Sequence, residues 1–573
     1  MKVWWLTQQT RLALERSRIE ALCAQPWFEN PFWDIDKERL RLRLSFDLVF
    51  PDRRVSLQLV YHDTFPDSPP SIFPATEQRL SGHQYGQDGE LCLNIREDNW
   101  MPEYTGGDMV EGAYELLSSE APGANGESTS APSAHNVPNV QRLRKEALRF
   151  HLTLLGQFVM MTDVLDGARV KLAMNSSETG HLVANLISIE LQGEAWPLPD
   201  VPAAMAEEFY VVDAQLICVP STVSAVSKVK TLLDLQALVG DAHTLKPDED
   251  KLYLIRSNDS SATLVRHWTG SDSLTLYETI YSPHDGGRSG HDRTALKNVR
   301  VGIVGLGSLG GKIAASLARA GVQNFELVDG DLLHVGNLER NDADWRDVGL
   351  HKVDVTHRRL RLLNPGVTCR RWRVAIGAQI SSSEAGRLTA ALSGCHLIID
   401  ATANDDVFNR LSGLVERSGA TLVWGAVYAG GIGGEIARSR PKKDPSSYAI
   451  RGVLNRAYDV AEGPPPIVVG RGYDGSVGGE LLIATDAAVT TIAAHMTDLA
   501  LDALLDTEPS PFSAHAYLIG MRRCWLFDAP FDVRPIIADA PLRAATSIPE
   551  DTTLESEFVT TMLKGLDDEG DHS

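Results

Sequence analysis

The sequence predicts a multidomain α/β protein, and three observations lead there. At 573 residues the chain exceeds what one ordinary core can fill and suggests about three domains. Near its start, apolar residues at helical spacing give way to strict alternation, the pattern of a helix followed by an antiparallel meander. Beyond the midpoint, residues 299–331 read as strand, glycine turn, helix and strand, the opening of a parallel α/β unit. The division that follows is an α+β domain over 1–118, a linker or insertion over 119–138, a mixed α/β middle region over 139–285, a second α/β domain over 286–550 and an acidic tail over 551–573.

Composition narrows the class. Hydrophobic content of 43% and charged content of 23% are those of a soluble globular chain. A net charge of −22 argues against nucleic acid as the main partner. No run approaches the roughly 18 uncharged apolar residues of a membrane span, and the first residues are not a basic-then-apolar signal. The expectation is a cytoplasmic protein without a membrane partner. The six cysteines, Cys23, Cys92, Cys218, Cys369, Cys395 and Cys524, are scattered with no C-x-x-C pair. That excludes a disulfide framework and a four-cysteine zinc site, and it leaves individual thiols as candidate nucleophiles among mostly core cysteines.

In chain order, Leu12, Arg16, Ile19 and Leu22 set a first helix over 10–23, followed by the aromatic pairs Trp27-Phe28 and Phe32-Trp33. Leu40, Leu42, Leu44 and Phe46 then alternate with polar residues, Pro51-Asp52 turns, and Val55, Leu57, Leu59 and Tyr61 alternate again. Next come Phe65-Pro66, Pro69-Pro70, His83-Gln84-Tyr85, Gly89-Glu90-Leu91-Cys92-Leu93 and Trp100-Met101-Pro102. By itself, Cys92 between two leucines reads as a core residue. The order of these motifs over about 12–117 resembles the ubiquitin-conjugating enzyme fold, and that resemblance implies that Cys92 carries a thioester. A thiol suits the task, because a thioester forms readily from an acyl adenylate and still acylates amines. One departure stands out: the family's H-P-N reads His83-Gln84-Tyr85, so the asparagine credited with oxyanion stabilisation is absent there. Tyr85, Asn94 and backbone amides all remain open as replacements, and His83 reads as a structural hydrogen-bonding residue.

The segment from Ser118 to Pro138 is rich in Ser, Gly, Pro and Ala, as a flexible linker or insertion is. After it, Leu143, Leu148, Leu152 and Leu155 predict a helix over 140–155, and 158–164, 181–191 and 208–219 read as strands. No motif marks this middle region, so its default role is scaffolding.

Val301, Ile303 and Val304 then make a strand, Gly305 to Gly310 a glycine turn, 312–320 a helix ended by Gly321, and Phe325 to Val328 a second strand with Asp329 at its end. Gly305 permits the tight turn, Gly307 lets the backbone approach phosphate, and Gly310 lets the helix lie against the strand. The helix N-terminus offers free N–H groups to an anion. Asp329, roughly twenty residues on, would accept ribose hydroxyls. Both a nicotinamide or flavin enzyme and an ATP enzyme meet this pattern. Asp331, Asn337-Leu338-Glu339-Arg340-Asn341, Gly349-Leu350-His351-Lys352, Asn364-Pro365 and the strand 397–399 ending at Asp400 favour the second. Cleavage between α- and β-phosphates builds charge that cations and a carboxylate-held Mg²⁺ must stabilise, whereas hydride transfer has no use for them.

These motifs resemble the ThiF/MoeB/ubiquitin-activating enzyme family and imply a Rossmann-like ThiF-type adenylation domain. Carried over residue by residue, the resemblance implies ATP bound by Gly305, Gly307 and Gly310, ribose on Asp329, the triphosphate on Asn337, Arg340 and Lys352, and Mg²⁺ on Asp400. Asn341 stands where the family has Gln, and Asn404 near its second Asp. Arg288 or Arg293, in the loop-like 282–293, is a candidate to reach the phosphates. The strand 421–427 follows, and Gly430 to Gly434 suit a substrate tail threading close to backbone. Where many activating enzymes carry a cysteine, this chain reads Pro445-Ser446-Ser447-Tyr448, with no cysteine between Cys395 and Cys524. Three routes stay open for the acyl group: Cys524, whose arginine neighbours favour the thiolate; an oxyester on Ser446 or Ser447; and direct passage to Cys92. A helix over 486–502 looks like the family's domain-closing, dimer-forming element, which implies a homodimer.

Together the resemblances imply a fusion of a conjugating with an activating enzyme, similar to bacterial antiphage conjugation enzymes. It would adenylate the C-terminal tail of a ubiquitin-like protein with ATP and Mg²⁺ and pass the tail through a Cys92 thioester to a target protein amine. The alternatives are sulfur transfer through a thiocarboxylate, with the N-terminal domain a non-catalytic docking module, and a nicotinamide dehydrogenase for the C-terminal half alone.

Overall fold

The structure, a computed structural model, describes residues 3–76, 80–81, 84–85, 89–119, 147–162, 165–178, 180–282, 290, 292–460, 476–477, 480–481 and 483–543. They fall into two compact units, Met1–Lys145 and Glu146–Ser573. The linker beyond Ser119, His83, Arg288 and the tail over 551–573 lie outside the described residues.

In the first unit the helix Gln9–Leu22 and the strands Arg41–Val49 and Arg54–Val60 stand where the periodicities put them. Alternation holds because Leu44, Leu48, Leu57 and Leu59 all point into the core and are wholly buried. The aromatic stretch holds a further strand, Phe28–Asp36, and Ser71–Pro74 completes a four-stranded antiparallel meander in sequence order. The helix Gly106–Ser119 closes the unit through Met109, Val110, Ala113 and Leu117. Glu15 is buried at the centre, accepting from the Tyr61 hydroxyl and the Gly106 N–H at 2.7 Å each.

The second unit holds two large sheets. In the middle region the predicted strands over 181–191 and 208–219 are found as Leu182–Leu191 and Tyr210–Cys218. Two expectations are corrected. Leu148–Leu152 is a strand lying parallel to both Leu182–Leu191 and Glu278–Tyr281, and Leu154–Met160 is a helix. Leucine spacing over 143–155 fits a helix, but Phe150 and Leu152 also alternate with Arg149 and His151, and pairing on both sides decided for the strand. Thr153, accepting from the Gly156 N–H, then starts the helix. The two sheets are tied where Arg361 makes a bidentate pair with Glu207 at 2.7 and 2.9 Å.

The C-terminal sheet has eight strands in the order Thr368–Trp372, Asn324–Val328, Arg300–Val304, Leu397–Asp400, Thr421–Val427, Gly433–Ser439, Ala516–Gly520 and Val533–Ile536. The first five are parallel and the last three join antiparallel. Helices Ser308–Ala320, Lys352–Leu363 and Asp486–Leu505 cover one face, and Ser382–Ser393, Asp405–Ser418 and Ser447–Val460 the other. Among the described residues Asp486–Leu505 alone is long and apolar enough to cross a membrane, yet it packs along Ser308–Ala320 in the core. The strand order reverses between Arg300–Val304 and Leu397–Asp400, which opens a crevice at the carboxyl ends of these two strands.

One core group carries a testable charge. Glu435 is 8% exposed, and burial pushes its carboxyl up to about 7, with Arg451 opposing the shift and Asp405 adding to it. Between its ordinary 4.5 and about 7 the folded chain keeps a proton that the unfolded chain releases, so stability falls as pH rises through that window and levels off above it. Glu435→Gln removes the loss. Thermal melts should show the variant gaining on the natural chain between pH 5 and pH 7, by on the order of 3 kcal/mol at most.

Candidate functional site

The crevice is built from the glycine turn outward. Gly305 has φ +85°, a conformation that glycine adopts freely. A Cβ there would lie 2.9 Å from Thr402 Cγ2 and 3.1 Å from the Ala401 carbonyl, so the turn also touches the neighbouring strand's exit. A Cβ on Gly310 would run into the Gly305 carbonyl oxygen. Gly307 caps the helix Ser308–Ala320, whose first N–H groups face the crevice end. Asp329, one strand over, accepts from the Leu306 N–H at 2.7 Å and the Asp331 N–H at 2.8 Å. Burial pushes its carboxyl up against those two bonds, and each oxygen keeps a lone pair for a further donor.

A cleft open to solvent is lined by Gly307, Ser308, Asn337, Arg340, Asn341 and Lys352. The sequence-predicted Gly307, Asn337, Arg340 and Lys352 are thus brought together, while Asp329 and Asp400 stand behind the strand ends. Asn337 shapes its own loop: its Oδ1 accepts from the His334 N–H at 2.9 Å and its carbonyl from the Arg340 N–H at 3.2 Å. Lys352, 3% exposed, begins the helix Lys352–Leu363 and donates to Asp331 at 2.9 Å. Asp400, also 3% exposed, accepts from the Thr402 N–H at 3.0 Å and its hydroxyl at 2.6 Å, and burial pushes its carboxyl up. The four-sided arrangement of helix N-terminus, two cations, two carboxamides and backbone glycine is a cradle for a polyanion. Among the described residues no three His, Cys, Asp or Glu side chains cluster as a metal cage. A single buried carboxylate beside such a cradle fits Mg²⁺ delivered with phosphates, which takes one or two carboxylates and keeps water.

Two substituted positions have structural work. Asn341 lines the cleft and accepts from the Ala343 N–H at 3.1 Å. Asn404 caps the helix Asp405–Ser418 through the Asp406 and Val407 N–H groups. Arg293 donates to the Arg319 carbonyl at 2.9 Å, at the far end of helix Ser308–Ala320 from the glycine turn.

Strand directions place the candidate acyl carriers. Gly433–Ser439 runs antiparallel to Thr421–Val427, and Gly433 pairs with Gly520, so the turn holding Cys524 lies at the same sheet edge as the cleft. Three strand spacings separate its strand from that of Asp400, roughly 14 Å. Cys524 is half-buried, in a turn where the Phe527 N–H donates to its carbonyl at 3.0 Å. Ser446 lies beyond the opposite end of Gly433–Ser439, accepts from the Ala449 N–H at 3.2 Å, and precedes the wholly buried Ser447. The structure does not bring either serine to the cleft. At Gly433 and Gly434 the room expected for a threading tail is also corrected. Gly433–Ser439 is paired on both sides, and Cβ atoms on Gly433 and Gly434 would meet Phe527 at 2.9 Å and Ile492 at 2.8 Å. These glycines serve packing.

In the first unit Cys92 follows the strand Glu90–Leu91. Leu91 and Leu93 are 3% and 4% exposed and Cys92 is half-buried, so alternation turns the thiol away from the core. Burial pushes the thiol up, Glu90 adds to this, and Arg96 opposes it. Asn94 is exposed and its carbonyl accepts from Asn99 at 2.8 Å; the Tyr85 side chain lies outside the described residues.

Sequence reasoning passed over Lys312, Asp342 and Asp486. Lys312 is a buried cation bonded to both carboxylates. The signal was present: a lysine directly after Gly310-Gly311, on a helix whose other residues from Leu309 to Ala318 are apolar or small.

Residues 285–512 match the ThiF family model, so a ThiF family domain occupies the C-terminal region. Over 136 residues, 23% of this chain and 51% of the relative, the sequence is 34% identical to a molybdopterin-synthase adenylyltransferase of Salmonella typhimurium. It is 32% identical to a sulfur carrier protein adenylyltransferase of Thermus thermophilus over 28% of this chain and 56% of the relative. It is 32% identical to the ATP-dependent ubiquitin transferase-like protein Cap2 of Enterobacter hormaechei, over 20% of this chain and 19% of that one. The chain therefore spans about half the length of the first two relatives and about a fifth of the third. Among solved structures, that of Escherichia coli MccB with ATP covers 44% of this chain and 68% of that one at 16% identity, with a TM-score of 0.32.

Two variants test the geometry. Gly310→Ala forces the helix off the strand, and chemical denaturation should register a loss of more than about 2 kcal/mol. For Cys92, alkylation by iodoacetamide should run slower than on free cysteine at pH 8 and climb as pH rises, and Arg96→Gln should slow it a further two- to threefold, roughly.

Proposed function

We propose that this chain is an adenylyltransferase that activates the C-terminal carboxylate of a protein tail with ATP and Mg²⁺ and transfers the activated tail through a thioester on Cys92 to an amine. The observation that carries the reading is the convergence of Asn337, Arg340 and Lys352 on the N-terminus of helix Ser308–Ala320 at the strand-order reversal.

In this reading a tail carboxylate oxygen attacks the α-phosphorus, the bond to the bridging oxygen breaks, and pyrophosphate leaves. Asp329 holds the ribose. The Gly307–Ser308 backbone, Asn337, Arg340 and Lys352 hold the phosphates, and the two cations neutralise the charge that grows on the leaving group. Lys352 exchanges its Asp331 partner for phosphate. Mg²⁺, held by Asp400, supplies further charge neutralisation when bound. The mixed anhydride is then attacked by a thiolate: the new C–S bond displaces AMP, and an amine later displaces the thiol. Cys92 is the acceptor, reached directly or after Cys524, which shares the sheet edge with the cleft. Fusion of both functions on one chain raises the effective concentration of the second thiol. A homodimer formed through the adenylation domain and a ubiquitin-like partner belong to the same reading.

Similarity to the molybdopterin-synthase and sulfur-carrier adenylyltransferases favours one second reading, in which the adenylate is converted to a thiocarboxylate and the N-terminal unit only docks a partner. The test mixes the intact chain with ATP, Mg²⁺ and a purified ubiquitin-like protein ending in glycine. Conjugation predicts partner-dependent pyrophosphate release, a thiol-labile adduct, and loss of the final amide in Cys92→Ala with pyrophosphate release retained. Lys352→Ala and Arg340→Ala should each slow pyrophosphate release by about 10² or more. Full amide formation by Cys92→Ala would refute the thioester step, and release of no pyrophosphate by the natural chain would refute adenylation.

A further inference from the structure

Lys312 sits one turn into the helix that starts at the glycine turn and is 9% exposed. Its Nζ donates to Asp342 at 2.8 Å and lies 2.8 Å from Asp486. Asp342 directly follows Asn341, so this carboxylate anchors the strip that carries Asn337 and Arg340. Arg359 holds the other Asp342 oxygen at 3.1 Å. Asp486 is the first residue of helix Asp486–Leu505, which packs along Ser308–Ala320. Three segments that meet nowhere in sequence are therefore cross-linked at one ammonium group.

Lys312 does not line the cleft, and its charge is already matched by two carboxylates, so it is not a phosphate ligand. What it fixes is a separation. One wall of the cleft is the Gly307–Ser308 turn on Lys312's own helix, and the opposite wall is the strip ending at Asp342. Surface lysine–aspartate pairs contribute little, but the Lys312 and Asp342 side chains are only 10% and 22% exposed. Partial burial strengthens the attraction and reduces the freedom of both partners.

We propose that Lys312 is a positioning residue whose ion pairs with Asp342 and Asp486 hold the Asn337–Arg340 wall at phosphate-binding distance from the Gly307–Ser308 turn. This rests on the reading of the cleft as an ATP site. A wall displaced by about 1 Å loses contacts to the phosphates but not to the nucleoside, which Asp329 meets from another strand.

The experiment titrates the intact chain with ATP·Mg²⁺ and, separately, with adenosine, for the natural protein, Lys312→Met, Lys312→Arg and Asp342→Asn. Lys312→Met should weaken ATP about tenfold and adenosine less than twofold, Asp342→Asn should move in the same direction, and Lys312→Arg should recover most of the ATP affinity. Should Lys312→Met not fold, the same ATP-selective loss in Asp342→Asn carries the test. Unchanged ATP affinity in these variants, or equal weakening of both ligands, overturns the positioning role while leaving ATP binding by the natural chain intact. Failure of the natural chain to bind ATP removes the adenylation reading and this inference with it.

Discussion

The Asp329 carboxylate is the interaction on which the site depends. It takes the Leu306 and Asp331 N–H groups at 2.7 and 2.8 Å, so it ties the glycine turn after one strand to the loop after the next. Hydrogen bonds to a charged group contribute about 1.5–3 kcal/mol each. They are set against the cost of burying the carboxylate, which is visible in its raised titration. With the turn so held, Gly310 packs against the Gly305 carbonyl, and the helix N-terminus is fixed at the point where strand order reverses.

Around that anchor, charge is arranged in pairs. Lys352 rests on Asp331, Lys312 on Asp342 and Asp486, and Asp400 on the Thr402 hydroxyl and N–H. Each pairing spares a desolvated ion from being left alone, which costs far more than the pair gains. Lys352 and Asp400 belong to groups that a triphosphate and its metal would claim, whereas Lys312 stays with its carboxylates. The thiols divide in a similar way: the thiols of buried Cys395 and half-buried Cys369 are each pushed up to about 12, while alternation turns Cys92 away from a leucine core.

Legibility followed the range of the forces involved. The glycine turn, its flanking strands and the meander around Pro51-Asp52 were readable because period and turn chemistry are local. Leu148–Leu152 was misread because its leucines satisfy both periods, and only two parallel neighbours decide between them. The glycines at 430–434 looked like space for a ligand. Gly433 and Gly434 instead lie against Phe527 and Ile492, partners about sixty to a hundred residues away in the chain.

By itself the sequence pointed to the parallel α/β unit and the turn at Gly305 to Gly310 with an acid at Asp329, because each follows from spacing within a few dozen residues, and the family resemblance singled out Arg340 and Lys352. Tertiary structure alone decided that Arg340 and Lys352 meet Asn337 and the Gly307–Ser308 turn in one cleft, that Cys524 lies at the same end of the sheet while Ser446 does not, and that Lys312 joins its helix to Asp342 and Asp486. Those outcomes depend on strand order and direction, which arise from burying whole faces of the sheet and leave no trace in any single stretch of chain.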